Sequence, residues 1–426
     1  MKKLLVIQVA GLGFDFVARH GVQTLGGISI RPMHPVFPAL TCTAQATLRT
    51  GAPIKQHGMP ANGFFDTAMR KALFWEQSAA LISGQRIWED FRNRGGSVGL
   101  YFFQQSLGES VDQIISPAPI HTHGGGMIMD CYSQPRELYS RLSAQQHAFS
   151  LRHYWGPLAS SKSSEWITQA MLTLLATPDT PDLCFVYLPG LDYDLQRFGP
   201  THPRSTAALK VICREIEQLV SAATRNGYET AIFGDYAINA VTLGAVFPNR
   251  ALKNAGLFTT RNIKGRQYPD FYQSPAFALV DHQIALINCL QPDALPKVSA
   301  TLRALAGVDK IWNRAEQAEL GLDHQRTGDL LISAKPGAWF AYPWWQTARE
   351  APDYATHVDI HNKPGYDPCE LFFGKNPFQI SLDTAKVRGT HGLNQAADNT
   401  AFASTINFRA DTLLDFAASL RAWLTS

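Results

Sequence analysis

Charge is scarce in this chain: 17% of its 426 residues are charged, against roughly 25% in an ordinary soluble protein. The formal net charge is only +3, which excludes nucleic-acid binding by bulk charge. Cysteine is also sparse. Cys42, Cys131, Cys184, Cys213, Cys289 and Cys369 stand far apart with no Cys-x-x-Cys pair, so a small disulfide framework is excluded and reduced, mostly buried thiols are expected. No run approaches the ~18 apolar residues that cross a bilayer. The P-loop, the dinucleotide-binding glycine motif and the Gly-x-Ser-x-Gly elbow are all missing, which argues against nucleotide kinases, Rossmann dehydrogenases and serine hydrolases. Lys2-Lys3 ahead of Leu4-Leu5-Val6-Ile7 imitates a signal peptide. However, Gln8 interrupts the apolar stretch, and bulky Phe16 stands where a cleavage site needs a small residue. The segment is read as an internal strand and the protein as cytoplasmic.

Apolar matter is plentiful: 45% of residues are hydrophobic, with 24 Phe, 13 Tyr and 9 Trp. That is enough to bury roughly three quarters of the unfolded surface, which excludes disorder. Leu4–Val9, Leu183–Leu188 and Thr230–Phe233 are short aliphatic runs of the kind buried in parallel sheets. Between the last two, Ser205–Arg225 repeats its apolar residues at helical spacing until Gly227, which completes a βαβ unit. Ligands of such sheets sit at the carboxyl ends of the strands, so residues just after Val9, Leu188 and Phe233 are expected to converge. From Leu257 to Ala334 a smaller α/β unit is expected, with a strand over Phe277–Ile287, a helix over Pro296–Ala306, and strands near Lys310–Trp312 and Asp329–Ser333. The expected division is a core of residues 1–256 and 335–426 with an inserted lid of residues 257–334. Ala341–Pro368, rich in Trp, Pro, Tyr and Asp, reads as a long ordered loop. The Gly124-Gly125-Gly126 run is too short for a linker.

Pro38 forces extended backbone before it, Thr41 suits a helix N-cap, and Gly51 sits where a C-terminal glycine belongs. A hydroxyl at a helix head, beside free N–H groups and the positive end of the dipole, favours a phosphate or sulfate. From spacing alone, a merely capped helix accounts for the same residues.

Phe37-Pro38-Ala39-Leu40-Thr41-Cys42, Thr50-Gly51-Ala52-Pro53 and His57-Gly58-Met59-Pro60-Ala61-Asn62-Gly63 keep their order and spacing. Together they resemble the nucleophile region of the alkaline phosphatase superfamily, in its nucleotide pyrophosphatase/phosphodiesterase-like branch. Tyr187-Leu188-Pro189-Gly190-Leu191-Asp192-Tyr193 is similar to that family's first metal-aspartate segment. Gly234-Asp235-Tyr236 stands in the place of its Ser-Asp-His-Gly, and Gly389-Thr390-His391-Gly392 looks like its terminal Gly-x-His-Gly. The resemblance implies an α/β fold with a mostly parallel central sheet flanked by helices. It also implies Thr41 as nucleophile, a phospho-enzyme intermediate, and Asp192, Asp235 and His391 as ligands of one or two divalent metals, zinc first and manganese second. Metal coordination is one of few ways to activate a threonine hydroxyl at neutral pH.

The departures from the pattern fall on the ligands. Gln8 replaces an aspartate at the end of the first strand, Gln196 replaces a histidine four residues after Asp192, and Tyr236 replaces the histidine after Asp235. An uncharacterised bacterial subgroup resembles this chain in its altered Leu188–Arg197, Asp281–Ala285 and Val358–Pro368 segments. His361 and Asp367, with Asp359 and His282, are substitute ligands by residue type, while Gln8, Gln196 and Lys363 are candidate contacts to the substrate. Each has a plain structural counterpart: Asp192 and Asp235 could cap turns, and His282 could be a satisfied buried histidine. His121-Thr122-His123 lacks an acidic third ligand other than Asp130. Trp155, Trp344 and Trp345 could form an aromatic platform or simply core. The function expected is metal-dependent hydrolysis of a small phosphorylated substrate, whether diester, pyrophosphate or monoester. The alternative is a degenerate member that binds a phosphorylated metabolite or a partner protein without chemistry.

Overall fold

The computed structural model describes residues 1–123 and 126–426; the glycine run noted above falls partly outside them, at Gly124 and Gly125. The strands of the two larger sheets are, in chain order, β1 (Leu4–Val9), β2 (Arg31–Met33), β3 (Val98–Tyr101), β4 (Gln113–Pro117), β5 (Cys131–Gln134), β6 (Leu183–Leu188), β7 (Glu229–Gly234), β8 (Ala276–Asp281), β9 (Ile284–Cys289), β10 (Val308–Asn313), β11 (Leu330–Ala334) and β12 (Thr400–Ser404). The first sheet runs β5-β4-β3-β6-β1-β7-β12-β2. Its centre, β4 to β7, is parallel, and β5, β12 and β2 add antiparallel edges. Every residue of β1 and β6 is buried, which is why their sequences are continuously apolar rather than alternating. The exception in β1 is Gln8, wholly buried.

Register brings the strand ends level. Val9 lies opposite both Leu188 and Gly234, so the residues that follow these three strands meet at one edge. Helices α1 (Thr41–Thr50), α2 (Lys162–Leu175), α3 (Gly190–Phe198), α4 (Pro203–Arg225) and α5 (Leu413–Thr425) flank the sheet, with α2 and α4 packed together and α5 against α1. Thr41 is the first residue of α1, not its cap. Leu40 takes the cap position in extended conformation, and its apolar side chain offers the helix no bond; the Thr41 hydroxyl points to a carboxylate instead. Gly51 ends the helix at φ +62°, a left-handed conformation open to glycine.

The second sheet, β8-β9-β11-β10, is antiparallel and carries its own apolar core. The single strand expected over Phe277–Ile287 is a hairpin, with Asp281 paired to Ile284 across a turn at His282-Gln283. The polar triplet Asp281-His282-Gln283 marks that turn, and His282 occupies φ +56° within it. Ala341–Pro368 runs without regular elements beyond short 3₁₀ turns. The six cysteines are unpaired with one another. Among the described residues no helix is long and apolar enough to cross a membrane.

Candidate active site

At the level strand ends, Thr41 is 3% exposed and donates its Oγ1 hydrogen to Asp235 Oδ2 at 3.2 Å. Asp235 follows β7 directly. It also accepts from Gln8 Nε2 at 3.0 Å, the Gly11 N–H at 3.2 Å and the Tyr236 N–H at 3.0 Å. Four bonds use the lone-pair capacity of a carboxylate. Burial pushes its pKa up to about 7, against the lowering effect of Gln8 and Gly11.

Asp192, in the first turn of α3, accepts from Tyr236 Oη at 3.0 Å and from Gln196 Nε2 at 2.6 Å. Gln196 in turn accepts from Tyr366 Oη at 3.0 Å. Burial raises Asp192 to about 6. Above these groups four rings stack in series. Tyr236 lies flat on His391 with centroids 3.4 Å apart, His391 meets His282 at 3.7 Å, and His282 meets Tyr366 at 3.7 Å. The His391 Nδ1–H donates to the Ala39 carbonyl at 2.8 Å, and burial holds both imidazoles far below their ordinary pKa, hence neutral.

A third carboxylate arrives from the β8–β9 hairpin. Asp281 accepts from His282 Nδ1 at 2.7 Å, the Asn62 N–H at 2.8 Å and Asn62 Nδ2 at 3.3 Å, while Asn62 Oδ1 accepts from the Cys42 N–H at 3.1 Å. The second sheet is thereby tied to the head of α1. Burial raises Asp281 to about 7.

Thus Gln8, Thr41, Asp192, Gln196, Asp235 and His391 meet in one cluster. His361 and Asp367 do not join it: His361 donates from Nδ1 to the Phe74 carbonyl at 3.0 Å, and Asp367 is paired with Lys363 at 2.8 Å. Lys363, 1% exposed, also meets Glu370 at 2.6 Å. Burial alone would lower its pKa, but the two carboxylates outweigh that and raise it, so its charge is spent within the protein. Asn62, Asp281 and Tyr366 were not singled out from the sequence, although Asn62 lies within the His57–Gly63 motif and Asp281 precedes His282. Their polarity was visible, but their direction was not. Among the described residues, His121 ends a two-residue strand that pairs with Met127–Ile128, and His123 lies outside both strands.

The family pattern implies a two-cation cradle, and the side chains present do not fit it. Gln8, Gln196 and Tyr236 point hydrogen-bond donors at the two carboxylates. Among the described residues no three His, Cys, Asp or Glu side chains gather as a metal ion would require.

A large, mostly parallel sheet flanked by helices is the alkaline-phosphatase-like architecture. The chain aligns over 100% of its length with phosphonoacetate hydrolase from Sinorhizobium meliloti (TM-score 0.65, 14% identity, 96% of that chain). It aligns over 99% with murine ectonucleotide pyrophosphatase/phosphodiesterase 5 (TM-score 0.62, 16% identity, 95% of that chain). At such identities the likeness is one of fold. The chain belongs to the type I phosphodiesterase / nucleotide pyrophosphatase family, whose model matches residues 4–367; these are phosphoric ester hydrolases. A human relative, ectonucleotide pyrophosphatase/phosphodiesterase family member 7, is 24% identical over 212 residues, which is 50% of this chain and 39% of that protein.

Proposed function

We propose that this chain hydrolyses small phosphoric esters through Thr41, with Asp235 as its general base. The observation that carries the reading is the Thr41–Asp235 hydrogen bond at the head of α1. In the first step Thr41 Oγ1 bonds to phosphorus, its proton passes to Asp235, and the ester oxygen departs, taking that proton to leave as an alcohol. In the second, water bonds to phosphorus, Asp235 takes its proton, and Thr41 leaves the phosphorus and regains a hydrogen. First-turn N–H groups and the helix dipole favour the developing negative charge. A base with a pKa near the working pH suits this task. The murine relative, in an inactive threonine-to-alanine form, is described in complex with AMP, which supports a nucleotide-sized ligand here.

Hydrolysis of p-nitrophenyl phosphate and bis(p-nitrophenyl) phosphate tests this. Turnover by the native chain with loss in Thr41→Ala supports it, and a rate untouched by Thr41→Ala sinks it. The replacements at positions 8, 196 and 236 favour a second reading, a degenerate member that holds a phosphorylated compound without chemistry. That reading predicts AMP binding by calorimetry, no turnover, and little effect of Thr41→Ala on affinity.

A further inference from the structure

We infer that Gln8, Gln196 and Tyr236 have converted the family's cation cradle into a hydrogen-bonded, ring-packed cluster that takes no pair of divalent ions. The inference concerns metal content and stands apart from whether Thr41 turns over substrate. A metal ion needs lone pairs turned towards it, and each of the three replacements turns a hydrogen the other way. Gln8 Nε2 donates to Asp235 and Gln196 Nε2 to Asp192, while Tyr236 Oη donates to the other oxygen of Asp192.

The amide orientations are fixed by their neighbours. Flipping Gln196 would set its oxygen against the Asp192 carboxylate and its nitrogen against the Tyr366 hydroxyl that now donates to it. Flipping Gln8 would set its oxygen against Asp235. That carboxylate is already saturated by four donors, two of them backbone N–H groups that cannot turn away.

The rings add to this: Tyr236, His391, His282 and Tyr366 lie in series at centroid spacings of 3.4–3.7 Å, too close for an ion between successive rings. His282 reaches this stack from a turn that holds it at φ +56°, a conformation costly for a non-glycine residue. Of the cluster's side-chain atoms, Gln8 Oε1 and His282 Nε2 are buried without a partner. Both are neutral, and a zinc site takes about four ligands with thiolate or carboxylate charge commonly among them. In this chain, therefore, donated protons occupy the positions of metal–ligand bonds.

The test uses the full chain, stripped with EDTA, equilibrated with excess zinc or manganese and desalted, with metal counted by inductively coupled plasma mass spectrometry and Tm read alongside. The expected result is no stoichiometric ion and the same Tm in EDTA and in zinc. The Q8D/Q196H/Y236H variant is expected to gain at least one ion per chain and to gain Tm in zinc, because an ion that binds only the folded state stabilises it. A stoichiometric ion in the native chain that is lost in Asp192→Asn or Asp235→Asn overturns the inference. An ion kept in both variants is bound elsewhere and supports it. A folded triple variant with no added metal also counts against it; if that variant does not fold, the native chain with its two Asn variants decides alone.

Discussion

At Asp235 two effects oppose one another. Four hydrogen bonds favour the anion, and complete burial with no cation in contact favours the acid; burial wins, placing the pKa at about 7. If Asp235 is the base for Thr41, kcat/KM should climb with pH along a limb centred near 7 as the carboxylate ionises. Asp235→Asn should flatten that limb and lower the rate by about 10²- to 10⁴-fold, the usual contribution of general base catalysis. A limb that survives in the variant would assign it to another group. Lys363, in the loop rich in Trp, Pro, Tyr and Asp, is by residue type a candidate contact to a substrate phosphate; in the structure its ammonium is held at 2.6–2.8 Å by Glu370 and Asp367. Residue type was legible here, whereas the pairing depends on Glu370, seven positions further on, which no pattern in the chain marks out.

Among the elements, the segment carrying His391 is held against α3 by a glycine. A Cβ on Gly389 would stand 2.2 Å from the Leu195 carbonyl oxygen and 2.7 Å from the Ile238 side chain. The first of these is backbone and cannot swing aside. Gly389→Ala should therefore push the His391 segment off the helix that bears Gln196 and Asp192, at a cost of about 1–3 kcal/mol, as overpacking usually does. Thermal denaturation measures the loss; an unchanged Tm would show that the segment shifts freely. The strands Leu4–Val9 and Leu183–Leu188 were legible to the residue because full burial leaves a continuous apolar run. The β8–β9 hairpin was not, since a polar triplet inside an apolar stretch reads equally as a buried polar patch or as a turn.

For the molecule as a whole, three buried carboxylates couple folding to pH. Asp235 and Asp281 rise to about 7 and Asp192 to about 6, from 3.8. An acid whose pKa rises on folding binds its proton more tightly in the folded state. Stability contributed by these groups is then full at low pH and falls as pH climbs from about 4 to 7. A rise of about three pKa units corresponds to on the order of 4 kcal/mol for Asp235 alone. Tm should accordingly drop between pH 5 and pH 8, and Asp235→Asn or Asp281→Asn should reduce the drop. A Tm that is flat or rises over that range would contradict it. We propose that residues 257–334 act as a lid to the core of residues 1–256 and 335–426. In that arrangement Asp281 and His282 are what the lid brings to the site.

By itself the sequence determined the parallel sheet, the helix opening at Thr41 and the family to which the chain belongs. These follow from local burial patterns and from short motifs read within a few residues. It also showed that three ligand positions are altered. Only the tertiary structure decided what the altered residues do, because a glutamine amide or a tyrosine hydroxyl is donor or acceptor according to what faces it. Those partners, Asp235 for Gln8, Asp192 and Tyr366 for Gln196, and Asp192 for Tyr236, lie from 4 to 227 positions away along the chain.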